Sequence, residues 1–335
     1  MVLKIIANLN GGDLVTPDNK LTYRIYGSAD NYASPIATLG SALNDAKVSV
    51  TAGIVTIENV DIGTEDVFKI YSVDEAGNEA ILSDSSFDYN ANYKAVLNYA
   101  DSESITLPND TIKLLQNDFA ISINPFFNKF AELHFFAGEA GKSGFKSIDW
   151  ARLNKADYYN SPTFLARGVK GNGTSSYVDL LFDANTETTI DSLTFGFFAP
   201  DEIVFTGSDD SIMGSVGTND SGILYRKRKD NFGIQVSCNS EINNTSNKTT
   251  KDLISVSSDG STIILRRDEN TQNTFTLDTQ TQSTGSIILL GERKAGDVRQ
   301  FTDGLISLSF ITNTELTVSE LGILSTAIKT YLNSI

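Results

Sequence analysis

The chain has 335 residues, of which 40% are apolar and 20% charged; that is enough apolar matter for more than one core and too little charge for a disordered chain. With 26 basic against 42 acidic side chains the net charge is -16, which argues against nucleic acid and anionic membranes as partners. The single cysteine, Cys238, excludes an intrachain disulfide, and no apolar run approaches the roughly 20 residues of a membrane span.

Residues 1–88 read as a small β-sandwich. The stretch Met1 to Asn10 has one lysine and lacks the charged start and cleavage site of a signal peptide, so it reads as a first strand. Apolar side chains then alternate at Tyr23 and Ile25, Val48 and Val50, Val55 and Ile57, and Phe68 and Ile70, the period of half-buried strands. Turn residues separate them, such as Gly11-Gly12-Asp13 and Glu75-Ala76-Gly77-Asn78.

Residues 89–130 read as a linker carrying one helix. Asn109 or Asp110 caps it, and Ile112, Leu115 and Phe119 mark one face. The run Phe126 to Phe136 fits either helix or strand.

From residue 131 onward the pattern returns to strands. Tyr177, Asp179 and Leu181 alternate with Val178, Leu180 and Phe182; Leu193, Phe195 and Phe197 share a face; Ser258-Asp259-Gly260 is a hairpin turn. Phe232, Ile234, Val236 and Cys238 alternate too, which puts the thiol on a buried face. Thr317 and Glu320 form a capping box for a last helix, 317–333, whose apolar face is Leu321, Leu324, Ile328 and Leu332. The expected fold class is all-β, with a sandwich over 1–88 and a jelly roll over 131–335 that ends in a docked helix.

Two resemblances follow from particular blocks. Thr22 to Tyr26, Phe68 to Asp74 and the Ala76-Gly77-Asn78 turn resemble a fibronectin type III or immunoglobulin-like module, though without its core tryptophan. The second involves Phe130 to Gly138, Ile148-Asp149-Trp150, Asn160 to Phe164, Gly168 to Asp179, Leu289 to Arg293 and Gly304 to Phe310. In that order they resemble the laminin G-like, concanavalin A-like domains of tailed-bacteriophage virion proteins. That resemblance implies a virion structural protein, a head or tail fibre or surface appendage made in the host cytoplasm. It implies a homo-oligomer among other virion proteins, with a host surface glycan as a further partner.

The residue types present limit the chemistry available. The only histidine, His134, lies in an apolar run, so a nucleophile–base pair is not expected. One His and one Cys cannot make a transition-metal site, and no cofactor is expected. Calcium stays open through Asp201, Asp209, Asp210 and Asp220, against the reading that these are solvated loop acids. No Glu-x-Asp-x-x-Glu strand motif occurs, so a glycoside hydrolase is the remote alternative and the chain is expected to be non-enzymatic. Sugar binding needs an aromatic platform, for which Trp150, Tyr158, Tyr159 and Tyr225 are the candidates, Trp150 and Tyr225 first. Each of those two keeps a plain alternative. Trp150 sits near Ile148 and Phe145 as a core residue would, and Tyr225 opens the basic run Arg226 to Lys229, a solvated strand face otherwise.

Overall fold

The computed structural model describes residues 2–8, 17–27, 34–51, 54–61, 67–86, 89–188, 192–203, 209–217, 222–228, 234–240, 243–245, 250–276 and 285–335. The turn at Gly11 to Asp13, and Phe232, Asp220 and Lys229, lie outside them. The chain forms two compact units, Met1–Tyr89 and Asn90–Ile335.

The first unit is an antiparallel β-sandwich. Its strands are Val2–Asn8 (β1), Thr22–Gly27 (β2), Pro35–Leu39 (β3), Val48–Thr51 (β4), Ile54–Asp61 (β5), Val67–Val73 (β6) and Glu79–Ser86 (β7). They form sheets of order β1-β5-β4 and β3-β2-β6-β7. Tyr23, Ile25, Val55, Ile57 and Ile70 are fully buried, as their alternation requires. The β6–β7 turn closes on Asp74, whose Oδ1 accepts the Asn78 N–H at 2.7 Å, with Gly77 at φ +87°. That left-handed position favours a residue without Cβ.

The second unit begins with two helices, Ala91–Ser102 (α1) and Asp110–Ile123 (α2). Asn90 and Asn109 cap them, accepting the N–H of Asn92 and Ile112. This corrects the reading of 89–130 as a linker with one helix. The segment holds two helices and belongs to the compact unit, because Tyr93, Val96, Phe119 and Ile123 are buried in it.

Strands follow at Phe130–Phe135 (β8), Asp157–Tyr159 (β9), Thr163–Leu165 (β10), Gly168–Lys170 (β11), Tyr177–Asp179 (β12), Leu193–Ala199 (β13), Asp209–Val216 (β14), Gly222–Arg228 (β15) and Ile234–Ser240 (β16). The rest are Asn243–Thr245 (β17), Asp252–Ser258 (β18), Thr262–Arg267 (β19), Asn270–Thr276 (β20), Ile288–Leu289 (β21), Glu292–Lys294 (β22), Asp297–Arg299 (β23), Leu305–Ile306 (β24) and Leu308–Thr312 (β25). Single turns of helix stand at Ser143–Lys146 (α3) and Ala184–Glu187 (α4), and Val318–Asn333 (α5) closes the chain.

Two large sheets dominate. One runs β20-β19-β18-β13-β25-β8; the other runs β17-β16-β15-β14-β21-β12-β9, with the β22–β23 hairpin attached to β14. The core lies between them. Phe195, Phe197, Val256 and Leu265 of the six-stranded sheet meet Ile212, Tyr225, Val236, Cys238 and Leu289 of the nine-stranded one. The other face of the six-stranded sheet carries the helices: Phe135 of β8 lies 4.5 Å from Phe119 of α2 and 4.8 Å from Tyr331 of α5, ring centre to ring centre. The fold is thus all-β, a sandwich followed by a jelly roll with docked helices.

Helix α5 starts where its capping box predicts. Thr317 Oγ1 accepts the Glu320 N–H at 3.2 Å, and the Glu320 carboxylate accepts the Thr317 N–H at 2.7 Å.

Candidate ligand-binding face

The outer face of the nine-stranded sheet, at its β12–β9 end, carries a row of three accessible aromatic rings. In β9, Tyr158 points into the core and its neighbour Tyr159 points out, by the alternation of a strand. Tyr159 pairs in register with Tyr177 of β12. Their rings stack at 4.6 Å and 10°, and Phe301 follows 6.1 Å beyond Tyr177. Tyr159 is 40% exposed, and Tyr177 and Phe301 are half-buried.

Local chemistry fixes each ring. The turn before Tyr177 is organised by Asn172, whose Oδ1 accepts the N–H groups of Thr174, Ser175 and Ser176 at 2.9–3.0 Å. Gly171 leads into it, and a Cβ there would lie 2.0 Å from the Thr302 carbonyl oxygen. The chain leaves Tyr159 through Asn160 and Ser161 at φ +54° and +56°, and Asn160 Nδ2 donates to the Ser175 carbonyl at 2.9 Å. The two tyrosine turns are therefore tied together.

Polar pairs border the rings. Arg293 of β22 donates to Asp179 of β12 at 2.7 Å and to the Ser286 carbonyl at 3.1 Å. Glu292, fully buried, accepts from Ser211 Oγ at 2.6 Å, Arg299 Nε at 3.1 Å and Arg226 Nη1 at 3.4 Å. Gln300 Oε1 accepts from Arg226 and Ser211, each at 3.2 Å. The carboxylates hold the guanidinium groups in fixed directions. Partial burial and the neighbouring Tyr159 raise the Tyr177 hydroxyl above the usual phenol value, so at neutral pH it is protonated and both donates and accepts. Accessible aromatic faces beside fixed donors and acceptors suit a ligand with apolar faces and a hydroxyl rim.

The two leading sequence candidates are not on this face. Trp150 is 2% exposed, packed 5.2 Å from the rings of both Tyr93 and Phe135. Tyr225 is 1% exposed at the centre of the inter-sheet core, 5.0 Å from Phe197. Both readings as ligand platforms are corrected for the same reason: their strand and loop positions face apolar layers. Tyr158 is also turned inward, its hydroxyl donating to the Ser143 carbonyl at 3.1 Å. Of the basic run after Tyr225, Arg226 is buried against Glu292 rather than solvated.

Two of the acids weighed for calcium are placed apart from any cluster. Asp201 pairs with Arg167 at 3.2 Å, and Asp210 is buried in β14. Among the described residues no three His, Cys, Asp or Glu side chains converge on one point.

The buried polar groups of β8 form a separate cluster. Glu132 and His134 are in contact, His134 Nε2 lies 3.0 Å from the Ser147 carbonyl, and Ser309 Oγ donates to Glu132 at 3.3 Å. Asp149 accepts the Leu133 N–H at 3.0 Å and Arg152 Nε at 2.6 Å, and Arg152 reaches the Leu180 carbonyl at 3.0 Å. Glu132, His134 and Asp149 are sealed from solvent, Arg152 is half-buried, and together they tie the 147–156 loop to the sheet.

No family model matches the chain, and no curated protein does. Solved structures do. Domain 4 of an extracellular GH43 arabinanase from Geobacillus stearothermophilus, in complex with arabinotriose, is 13% identical, covers 59% of this chain and 98% of that one, and has a TM-score of 0.43. The binding domain of botulinum neurotoxin DC, in complex with rat synaptotagmin II, is 13% identical over 61% of this chain and 52% of that one, TM-score 0.44. A Trypanosoma rangeli sialidase is 10% identical over 79% of this chain and 42% of that one, TM-score 0.46. The chain thus spans about half the length of the neurotoxin domain and less of the sialidase. Sialidases stand among these matches, so the expectation that the chain is non-enzymatic is not carried forward. At 10–11% identity they assign no reaction to it.

Proposed function

We propose that the second unit binds carbohydrate on the Tyr159–Tyr177–Phe301 face, and that the chain is a displayed component of a bacteriophage virion. The observation that carries the first part is the accessible aromatic row itself, bordered by the Asp179–Arg293 pair. Sugar rings stack their C–H faces on aromatic side chains, and their hydroxyls pair with oriented carboxylate and guanidinium groups. The second part is supported by the ordered blocks between Phe130 and Phe310 that resemble phage virion domains.

The test is a glycan array with the full chain, followed by calorimetry on the strongest sugar. Tyr159→Ala and Tyr177→Ala each weaken binding by about tenfold or more, roughly 1.4 kcal/mol, while the fold holds because both rings sit at the surface. Trp150→Ala instead costs about 3–5 kcal/mol of stability, because it opens a cavity under the helices. An array with no signal, or binding indifferent to both tyrosines, refutes the glycan reading. Mass spectrometry of purified particles checks the virion reading, which fails if the chain is missing from them.

A further inference from the structure

A groove of about 540 Å³ runs between α2 and α5, away from the tyrosine face. Its floor is apolar, made by the buried Phe119 and Ala327. Its rims are Leu115 of α2 and Ile323 of α5, the latter 40% exposed. Two carboxylates, Asp118 and Glu269, line it, and no lysine or arginine does. Partial burial raises the Asp118 carboxyl, with no cation set against it among the described residues.

Gly322 lies in the second turn of α5 on the groove wall. A Cβ there would meet nothing closer than the Glu269 Cβ at 3.9 Å, so packing within this chain does not require the glycine. A glycine inside a helix weakens it. Here it keeps open a place where another backbone can approach closely.

We propose that this groove docks an amphipathic helix of a partner protein, whose apolar face lies on Phe119, Ala327 and Ile323 and whose lysine or arginine meets Asp118. Two walls of helix with an apolar floor accept a third helix as bundles and helix-in-groove complexes do. Helix α5, 16 residues or about 24 Å long, gives room for about four turns of it. The charge complementarity excludes an anionic lipid surface as the occupant.

The experiment uses the full chain and a synthetic amphipathic helix of about 18 residues, with leucine on one face and lysine beside it, followed by fluorescence anisotropy. The lysine peptide binds, and a peptide with glutamate in place of lysine does not. Gly322→Leu, which fills the groove, weakens binding about tenfold or more; Asp118→Asn weakens it about fivefold. Asp297→Asn, on the exposed β22–β23 turn, leaves it unchanged. Circular dichroism checks the fold, and Thr326→Arg, at an exposed groove position, replaces Gly322→Leu if that variant unfolds. Absence of binding, equal binding of the glutamate peptide, or binding indifferent to the groove substitutions overturns the proposal. So does a dimer of the chain that Gly322→Leu dissociates, since the groove then belongs to a second copy.

Discussion

Both nitrogens of the His134 ring face oxygen acceptors, the Ser147 carbonyl at Nε2 and the Glu132 carboxyl at Nδ1. The carbonyl fixes a proton on Nε2, and the contact with Glu132 requires a second proton between the two side chains. Burial pulls the imidazole down, yet the Glu132 carboxylate outweighs it and the His134 pKa is raised. Burial raises Glu132 as well, and its Oε2 has no hydrogen-bond partner. Both shifts mean that the folded pair holds more protons than the unfolded chain. The His134 part of that stability is therefore full below the ordinary imidazole value and the Glu132 part below the ordinary carboxylate value, and each is lost as pH rises through the higher folded one. Urea melts at mildly acidic and mildly alkaline pH measure this: the wild-type chain is less stable at the alkaline end, and His134→Gln removes most of that difference. An unchanged slope in the variant shows that the pair does not titrate in this range. The residue scale is also where sequence misled most. Trp150 follows Asp149 and Tyr225 precedes Arg226, but a side chain's facing depends on which layers its backbone joins. Tyr177 carried the better signal, because it alternates with the buried Val178 and Leu180, and Tyr159 follows the inward Tyr158.

Elements with local chemistry were legible. The capping box at Thr317, the Asn109 cap and the Asp259-Gly260 turn all form as read, the last with Asp259 accepting the Ser261 and Thr262 N–H groups at 2.9 and 2.7 Å. Those contacts hold the Asp259 carboxyl down to about 2. Helix α1 escaped notice although Asn90 caps it and Tyr93, Val96, Leu97 and Ala100 repeat at helical spacing. Its polar Asn, Lys and Asp residues make the stripe narrow. The pairing of β14 with β21 and β22 was not legible, since strands far apart in sequence meet through loops that carry no local code. Helix α5 offers the cleanest test at this scale. Thr317→Ala removes the side-chain oxygen that accepts the Glu320 N–H and leaves the helix body untouched. The expected cost is about 1 kcal/mol, read as a lowered urea midpoint with an unchanged slope. A loss well beyond that assigns Thr317 a packing role instead.

At the scale of the molecule, the helices decide where the second unit begins. Tyr93 of α1 and Phe119 of α2 pack on Trp150, and Phe135 meets Phe119, Trp150 and Tyr331, so one aromatic cluster joins α1, α2, α5 and the six-stranded sheet. Gln116 of α2 extends the joint with polar contacts. It accepts from the Tyr93 hydroxyl at 2.8 Å and donates to the Ala137 carbonyl at 3.2 Å. Removing α1 and α2 would expose Phe135 and Trp150, each worth roughly 1.5–3 kcal/mol of burial, and leave the Ala137 carbonyl without this donor. A typical domain is stable by only about 5–15 kcal/mol, so such a loss is decisive. A chain of residues 90–335 should therefore show a single cooperative thermal transition and keep its near-ultraviolet tryptophan signal, since Trp150 is the chain's only tryptophan. A chain of residues 131–335 should lose that signal and bind a hydrophobic dye. If the shorter chain melts as cooperatively as the longer one, the helices are an appendage to the jelly roll and not part of its core.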